Sequence, residues 1–238
     1  DIAVLEQLKS ALGAGLKISE AVDLVRRRSE REAPAATEQD AYRSLQRALL
    51  DALGAFDRTG ADAVAARMIN MPYVVAIDEV YFPLLREVGE RWATGDWNVA
   101  QEHFAAAFVR DQLTGMLQRI GFGRAGGSRV VCAAFPSERH ELGALGLAVR
   151  LASHGHEVTY LGADVPLEDL LRAANHGPRS QAPEWVCVSL INPVDREALA
   201  DYARALRRGF SGRITIGGSG LPDDLPEIEG VSFARDYP

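Results

Sequence analysis

Arg129-Val130-Val131-Cys132-Ala133-Ala134-Phe135-Pro136-Ser137-Glu138-Arg139-His140-Glu141-Leu142-Gly143 is the stretch on which the reading of this chain turns. Its first half, Arg129–Phe135, is a short apolar run of the length of a buried strand. Four further runs follow at Glu157–Leu161, Trp185–Leu190, Ile214–Ile216 and Val231–Phe233, with helical stretches between them. Strand alternating with helix predicts βαβ units and a parallel sheet flanked by helices. Ligands in such open sheets sit beyond the carboxyl ends of the strands, which is where Ser137–Gly143 falls. A neutral imidazole at His140 can ligate a metal there, and Glu138 can orient it as an acceptor behind the ring. The same residues also read as an ordinary helix N-terminal turn, with Ser and Glu capping and a solvated histidine.

Two later strand ends bear on that choice. The third run ends in Ser189-Leu190, which places a small hydroxyl where a ligand could run; a core serine bonded to backbone is the equal alternative. The fourth is followed by Gly217-Gly218-Ser219-Gly220, glycines that permit close backbone approach and positive φ, although a plain strand-to-helix turn uses them too. The dinucleotide fingerprint GxGxxG is absent from the first turn, which argues against a nicotinamide site.

Upstream, residues 39–122 carry helical periodicity throughout. Helices are predicted at roughly 40–56, 60–70, 73–94 and 97–120, with breaks at Asp57–Thr59, Met71-Pro72 and Thr94–Asp96, and four such helices with short loops read as a bundle. Ile77, Tyr81, Leu84, Val88 and Trp92 form one core-facing stripe; Val99, His103, Ala106, Arg110, Leu113 and Leu117 form the next, bordered by Glu102. A carboxylate buried without a partner costs several kcal/mol, so Glu102-His103 near an inward face calls for a polar ligand or for each other. Taken alone, Trp92 reads as a core tryptophan.

Residues 1–37 hold two short amphipathic helices, marked by Leu5, Leu8 and Leu12 and by Ile18, Ala21, Val22 and Val25. A charged run, Arg26–Glu32, and Ala33-Pro34 follow, a linker signal that sets a boundary near 31–38. The chain begins at Asp1 and reads as a fragment of a longer protein. Its 238 residues are 47% hydrophobic and 25% charged, ordinary globular values that exclude disordered and fibrous classes. No apolar stretch approaches the roughly 20 residues of a membrane span. A net charge of −7 and a pI near 5.3 argue against nucleic-acid binding by bulk electrostatics. Cys132 and Cys187 fall inside apolar runs and read as reduced core thiols of a cytoplasmic protein.

Together these residues resemble a known pattern. Glu138-x-His140-x-x-Gly143, Ser189-x-Ile191 and Gly217-Gly218 are similar to the Asp-x-His-x-x-Gly, Ser-x-Leu, Gly-Gly series of cobalamin-binding domains, with Glu for Asp and Ile for Leu. The resemblance implies that His140 displaces the cofactor's own base and becomes the lower ligand of cobalt, with Glu138 behind it. It also implies that the displaced nucleotide tail runs past Ser189, Leu190, Gly217, Gly218 and Gly220. A preceding bundle is shared by methyl-carrying corrinoid proteins and by cobalamin-dependent regulators.

Trp92-x9-Glu102-His103, with Val99, resembles the light-sensing MerR-type transcriptional regulators of the CarH and LitR type. In those, the equivalent residues cap the 5′-deoxyadenosyl group on the upper face. One position departs: where that family has a histidine after the cap tryptophan, this chain has Ala93, which cannot coordinate a metal.

The resemblance implies an α plus α/β chain, a four-helix bundle cap followed by a Rossmann-like parallel-sheet cobalamin-binding domain. The expected divisions are 1–37, the remnant of a MerR-type DNA-binding region and linker; 38–123, the cap; and 124–238, the cobalamin-binding domain. It implies a non-enzymatic, adenosylcobalamin-dependent and light-responsive sensor, tetrameric in the dark and acting on operator DNA through a further N-terminal domain, without membrane association. A corrinoid carrier for methyl transfer is the alternative, and a cobalamin sensor of redox or ligand without light is left open by Ala93.

Overall fold

The computed structural model describes residues 37–121, 127–176 and 182–235. The helices expected within residues 1–36 lie outside the described residues. By its internal contacts the chain divides into two compact units, Asp1–Ser44 and Leu45–Pro238. What is described of the first unit opens helix α1 (Glu38–Gly54). Thr37 caps that helix, its Oγ1 accepting from the Asp40 backbone N–H at 3.2 Å while Asp40 Oδ2 accepts from the Thr37 N–H at 3.2 Å.

In the second unit, α1 is followed by α2 (Arg58–Ala66), α3 (Tyr73–Ala76), a π turn (Ile77–Tyr81), α4 (Phe82–Thr94) and α5 (Val99–Ile120). The first two helices begin and end earlier than their periodicity suggests, because caps decide the ends. Asp57 Oδ1 accepts from Gly60 N–H at 2.8 Å and starts α2 at Arg58. Likewise α5 begins at Val99 because Asn98 and Gln101 form a capping box, and Gly95 in the left-handed region ends α4.

The π turn has a local cause. Pro83 lacks the N–H that would bond the Glu79 carbonyl, so the turn opens to a Phe82 N–H to Ile77 O bond and Gln46 Nε2 donates to the freed Glu79 O at 2.6 Å.

Leu49, Leu53, Ile77, Val80, Tyr81, Leu84, Val88, Ala105, Phe108, Val109 and Leu113 fill the bundle core. Two expectations are corrected here. Trp92 does not face the core: it is 53% exposed, and the core place at that end belongs to Trp97, seated on Gly54. The buried face of α5 is Ala105, Phe108, Val109, Leu113 and Met116, which shares only Leu113 with the expected stripe from Val99 to Leu117. The far end of that stripe turns toward the sheet, where Leu117 packs against the cluster holding Leu147 and Leu151, while its first residues, Val99 and His103, remain exposed. Both faces of α5 are used, so periodicity alone could not say which one met the core.

After β1 (Arg129–Ala134) come α6 (Leu142–Ser153), β2 (Glu157–Tyr160), α7 (Leu167–Ala174), β3 (Trp185–Ser189), α8 (Arg196–Gly209), β4 (Arg213–Gly217) and β5 (Val231–Ala234). All strand pairs are parallel, in the order β2-β1-β3-β4-β5. One face, with Val131, Ala133, Val186, Val188, Ile214 and Ile216, is covered by α7 and α8. The other, with Val130, Cys132 and Cys187, meets Leu147, Ala148 and Leu151 of α6. Cys132 and Cys187 are partners across β1 and β3, both buried and free, and burial pushes the Cys187 thiol up. The chain reverses its direction of winding between β1 and β3, and this topological switch point opens the crevice in which doubly wound sheets hold ligands. Among the described residues no helix is long and apolar enough to cross a membrane.

Candidate functional site

The loops leaving β1 and β3 meet at that switch point through one carboxylate. Glu138 is nearly inaccessible, and its Oε1 accepts from His140 N–H at 2.8 Å, from His140 Nδ1–H at 2.6 Å and from Asn192 Nδ2 at 3.0 Å. Its Oε2 accepts from the backbone N–H groups of Ile191 at 3.0 Å and Asn192 at 2.6 Å. Burial alone would raise the Glu138 carboxyl. The N–H groups of Asn192 and His140, the His140 ring and the Ile191 N–H outweigh it and hold the carboxyl below its ordinary value.

A carboxylate accepting at Nδ1 selects the Nδ1–H tautomer and leaves the Nε2 lone pair free. The His140 side chain is 60% exposed, so that lone pair belongs to a ring open to a ligand. The extra methylene of Glu relative to Asp lets this side chain reach β3's loop as well as the histidine.

The loop itself is held in a narrow geometry. Ser137 and Asp164 both lie in the left-handed region, at φ 66° and 49°. They clasp each other: Ser137 N–H donates to Asp164 Oδ1 at 2.6 Å, and Asp164 N–H donates to Glu138 O at 2.9 Å. Non-glycine residues hold such φ values only where the surroundings impose them.

Gly143 lies where a Cβ would stand 2.7 Å from Ser189 Oγ and 3.2 Å from Ile191 Cδ1, so its lack of a side chain lets the start of α6 close on β3. Gly218, at φ 126°, would place a Cβ 2.2 Å from Leu190 O, and Gly220 would place one 2.2 Å from Asn192 O. Leu190 N–H donates to Gly217 O at 2.8 Å and Gly220 N–H to Leu190 O at 3.0 Å. Ser189, Leu190, Gly143, Gly217, Gly218 and Gly220 thus converge on the segment that also holds Glu138.

The bundle residues flank the connection between α4 and α5. Trp92 lies in the last turn of α4, and Val99, Glu102 and His103 in the first turns of α5. Glu102 and His103 are paired with each other through His103 Nδ1, and the His103 side chain is 76% exposed. Trp92 and Val99, at 53% and 55%, are two of the four exposed large hydrophobics among the described residues. Glu102 and His103 are thus a mutually bonded pair, and Trp92 and Val99 are about half exposed.

Among the described residues no group of three or more His, Cys, Asp or Glu side chains could hold a metal ion. His140 offers one nitrogen, Nε2, on a ring whose Nδ1 is held by Glu138.

Three comparisons bear on this geometry. The family model described as a B12 binding domain matches residues 45–114, the helical part. Over the whole chain the sequence is 36% identical to the HTH-type transcriptional repressor CarH of Myxococcus xanthus, covering 76% of that protein. The chain belongs to the CarH-type family of cobalamin-binding transcriptional regulators. A second repressor of the same organism, CarA, is 31% identical over 90% of the chain and 69% of its own length. The fold is shared with the monomethylamine corrinoid protein of Methanosarcina barkeri, at TM-score 0.62 and 15% identity over 84% of this chain and 94% of that one. The CarH-type chain thus carries a helical part and a five-stranded parallel sheet in the arrangement of a corrinoid protein.

Sequence reading missed three residues that hold these loops together. Asn192 supplies two of the five hydrogen bonds to Glu138. Asp164 clasps the histidine loop, and Glu141 binds Arg110 and Tyr160. Asn192 follows the Ser189-x-Ile191 motif directly, and a polar residue so soon after a strand end was the available signal.

Proposed function

We propose that this chain is the adenosylcobalamin-dependent, light-responsive sensor of a transcriptional repressor, and that His140 is the lower ligand of cobalt. The observation that carries the reading is the Glu138–His140 pair at the switch point, with Nδ1–H committed to a buried carboxylate and Nε2 free. In this reading residues 38–123 are the cap, 124–238 hold the cofactor, and 1–37 lead to a DNA-binding region. Bound cobalamin would supply a cobalt–carbon bond that light can break.

The chain's own residues do the rest. Glu138 fixes the ring and its tautomer. Gly143, Ser189, Leu190, Gly217, Gly218 and Gly220 leave room for the cofactor's tail at the carboxyl edge. Trp92 and Val99 offer apolar surface, and Glu102 and His103 polar groups, toward the adenosyl group. The cap is then the two-state element, biased by contacts made only while that group is present. Ala93 offers no ligand, which leaves His103 as the one imidazole in the cap.

Tetramer formation without light, operator binding by the full protein and a cytoplasmic location accompany this reading; the similarity to the repressors CarH and CarA supports it.

The test is an absorption spectrum of the purified chain with adenosylcobalamin, before and after illumination, beside the same titration with methylcobalamin. Tighter binding of the adenosyl form and a light-driven spectral change support the sensor. A preference for methylcobalamin, retained through turnover with a methyl donor, would instead identify a methyl carrier.

A further inference from the structure

We propose that Glu141 is a positioning residue that ties α5 to the loop carrying His140, so that one carboxylate sets the upper-face residues relative to the lower ligand. The inference rests on the cobalamin reading above.

Glu141 follows His140 in the chain and occupies the N-cap position of α6, yet its side chain does not cap that helix. Both oxygens are committed elsewhere. Oε1 accepts from Arg110 Nε of α5 at 2.5 Å, and Oε2 accepts from the Tyr160 hydroxyl at the end of β2 at 2.9 Å. Burial and the neighbouring carboxylate both push the Tyr160 hydroxyl up, so it stays a donor at working pH. A carboxylate held from two sides has little freedom to follow a moving helix.

Along α5, Val99, His103, Ala106 and Arg110 recur at the spacing of one helix face. At 1.5 Å rise per residue, His103 stands about 10 Å along the axis from Arg110. Fixing Arg110 to Glu141 therefore sets both the height and the rotation of the turn that carries Val99, Glu102 and His103.

The bundle has separate anchors on the sheet portion. Phe82 sits over Gly146, where a Cβ would lie 2.3 Å from its ring, and Asp78 pairs with Arg150. These contacts fall further along α6 and do not involve Glu141. Loss of the Arg110–Glu141 pair should thus leave the bundle docked through Phe82 and Leu117 while the N-terminal turns of α5 lose their registration.

The experiment compares Arg110→Ala, Glu141→Gln and the double variant, each titrated with adenosylcobalamin and with hydroxocobalamin. Each single change is expected to weaken adenosylcobalamin binding roughly tenfold, the size of one coupled contact. Hydroxocobalamin affinity and its histidine-ligated spectrum are expected to hold within about twofold, and the double variant to be no weaker than either single one. Equal losses for the two cofactors, or losses that add in the double variant, would overturn the proposal.

If the unmodified chain does not distinguish the two cofactors, the sensor reading fails instead. The positioning role is then decided on the cofactor-free protein by amide hydrogen exchange over residues 99–110. Faster exchange in Arg110→Ala that Glu141→Gln does not increase supports it, and unchanged exchange overturns it.

Discussion

Glu138→Gln exchanges one carboxylate oxygen for an NH2 group at a site where every neighbour is a donor, and its cost can be worked from the two ways the amide can sit. With NH2 toward Ile191 and Asn192, two backbone N–H groups bonded at 3.0 and 2.6 Å lose their acceptor. At about 1–3 kcal/mol for each buried unsatisfied donor, that orientation costs several kcal/mol. With NH2 toward His140, the Ile191 and Asn192 backbone bonds survive and the amide donates to Nδ1, while the donors that lose their acceptor, His140 N–H at 2.8 Å and Asn192 Nδ2 at 3.0 Å, sit on exposed residues that can turn to water. The imidazole must then carry its proton on Nε2. This second orientation is cheaper for the fold and blocks the nitrogen that would face cobalt.

The expected result is a folded variant whose stability falls by about 1–2 kcal/mol and whose cobalamin affinity falls about 10- to 100-fold, the usual range for residues behind a metal ligand. Histidine-ring nitrogen shifts in nuclear magnetic resonance report the tautomer, and an absorption titration reports the affinity. Glu138→Asp, which keeps the charge, should retain most of the binding. An unchanged affinity together with a retained Nδ1–H tautomer would refute the reasoning.

Other outcomes follow from the same geometry. Trp92→Ala should weaken adenosylcobalamin binding about tenfold, one contact's worth, and leave hydroxocobalamin unaffected; parallel losses in a titration of both would point to damaged packing. Gly218→Ala puts a methyl 2.2 Å from Leu190 O at φ 126°, so urea unfolding should show a loss of about 2–4 kcal/mol. The Glu138 carboxyl is held below its ordinary 4.5, so the stability it lends is present above that value and fades as pH falls through and below it. Acid unfolding of Glu138→Gln should therefore show a shallower loss over that window than the unmodified chain. Ala93→His adds an imidazole beside Trp92 and should turn an illuminated spectrum that responds to pH and cyanide into one that responds to neither; an unmodified chain already insensitive to both would contradict this.

Much of the fold was legible because its strands are short, apolar and bounded by turn residues, and because the helix breaks carry Pro, Gly and cap residues. Arg129–Phe135 and Trp185–Leu190 were read within a residue or so of β1 and β3. His140 and Glu138 were legible as residues two apart after a strand. Asn192 was not, because its bond to Glu138 spans 54 residues and depends on β1 and β3 being neighbours, which no local pattern records. Arg110–Glu141 escaped for the same reason.

Trp92 was misplaced because the spacing from Ile77 through Val88 extends to it naturally, whereas the space at that end of the core is filled by Trp97 from the following loop. The face of α5 was misassigned because the helix is apolar on two sides, one for the bundle and one for α6. The π turn rests on Pro83 and on Gln46 reaching Glu79 O, a compensation only the folded chain can make.

The central claim, that His140 gives its Nε2 to cobalt, is tested most directly by electron paramagnetic resonance of the chain loaded with reduced, paramagnetic cobalamin. The protein is prepared once with ordinary and once with heavy-nitrogen histidine. A single axial ordinary nitrogen splits each cobalt line into a triplet, and a heavy one splits it into a doublet. Ligation by His140 gives a triplet that becomes a doublet on labelling and disappears in His140→Ala. A triplet that persists in the labelled protein would show the cofactor's own base on the metal and would rule out His140 as its ligand.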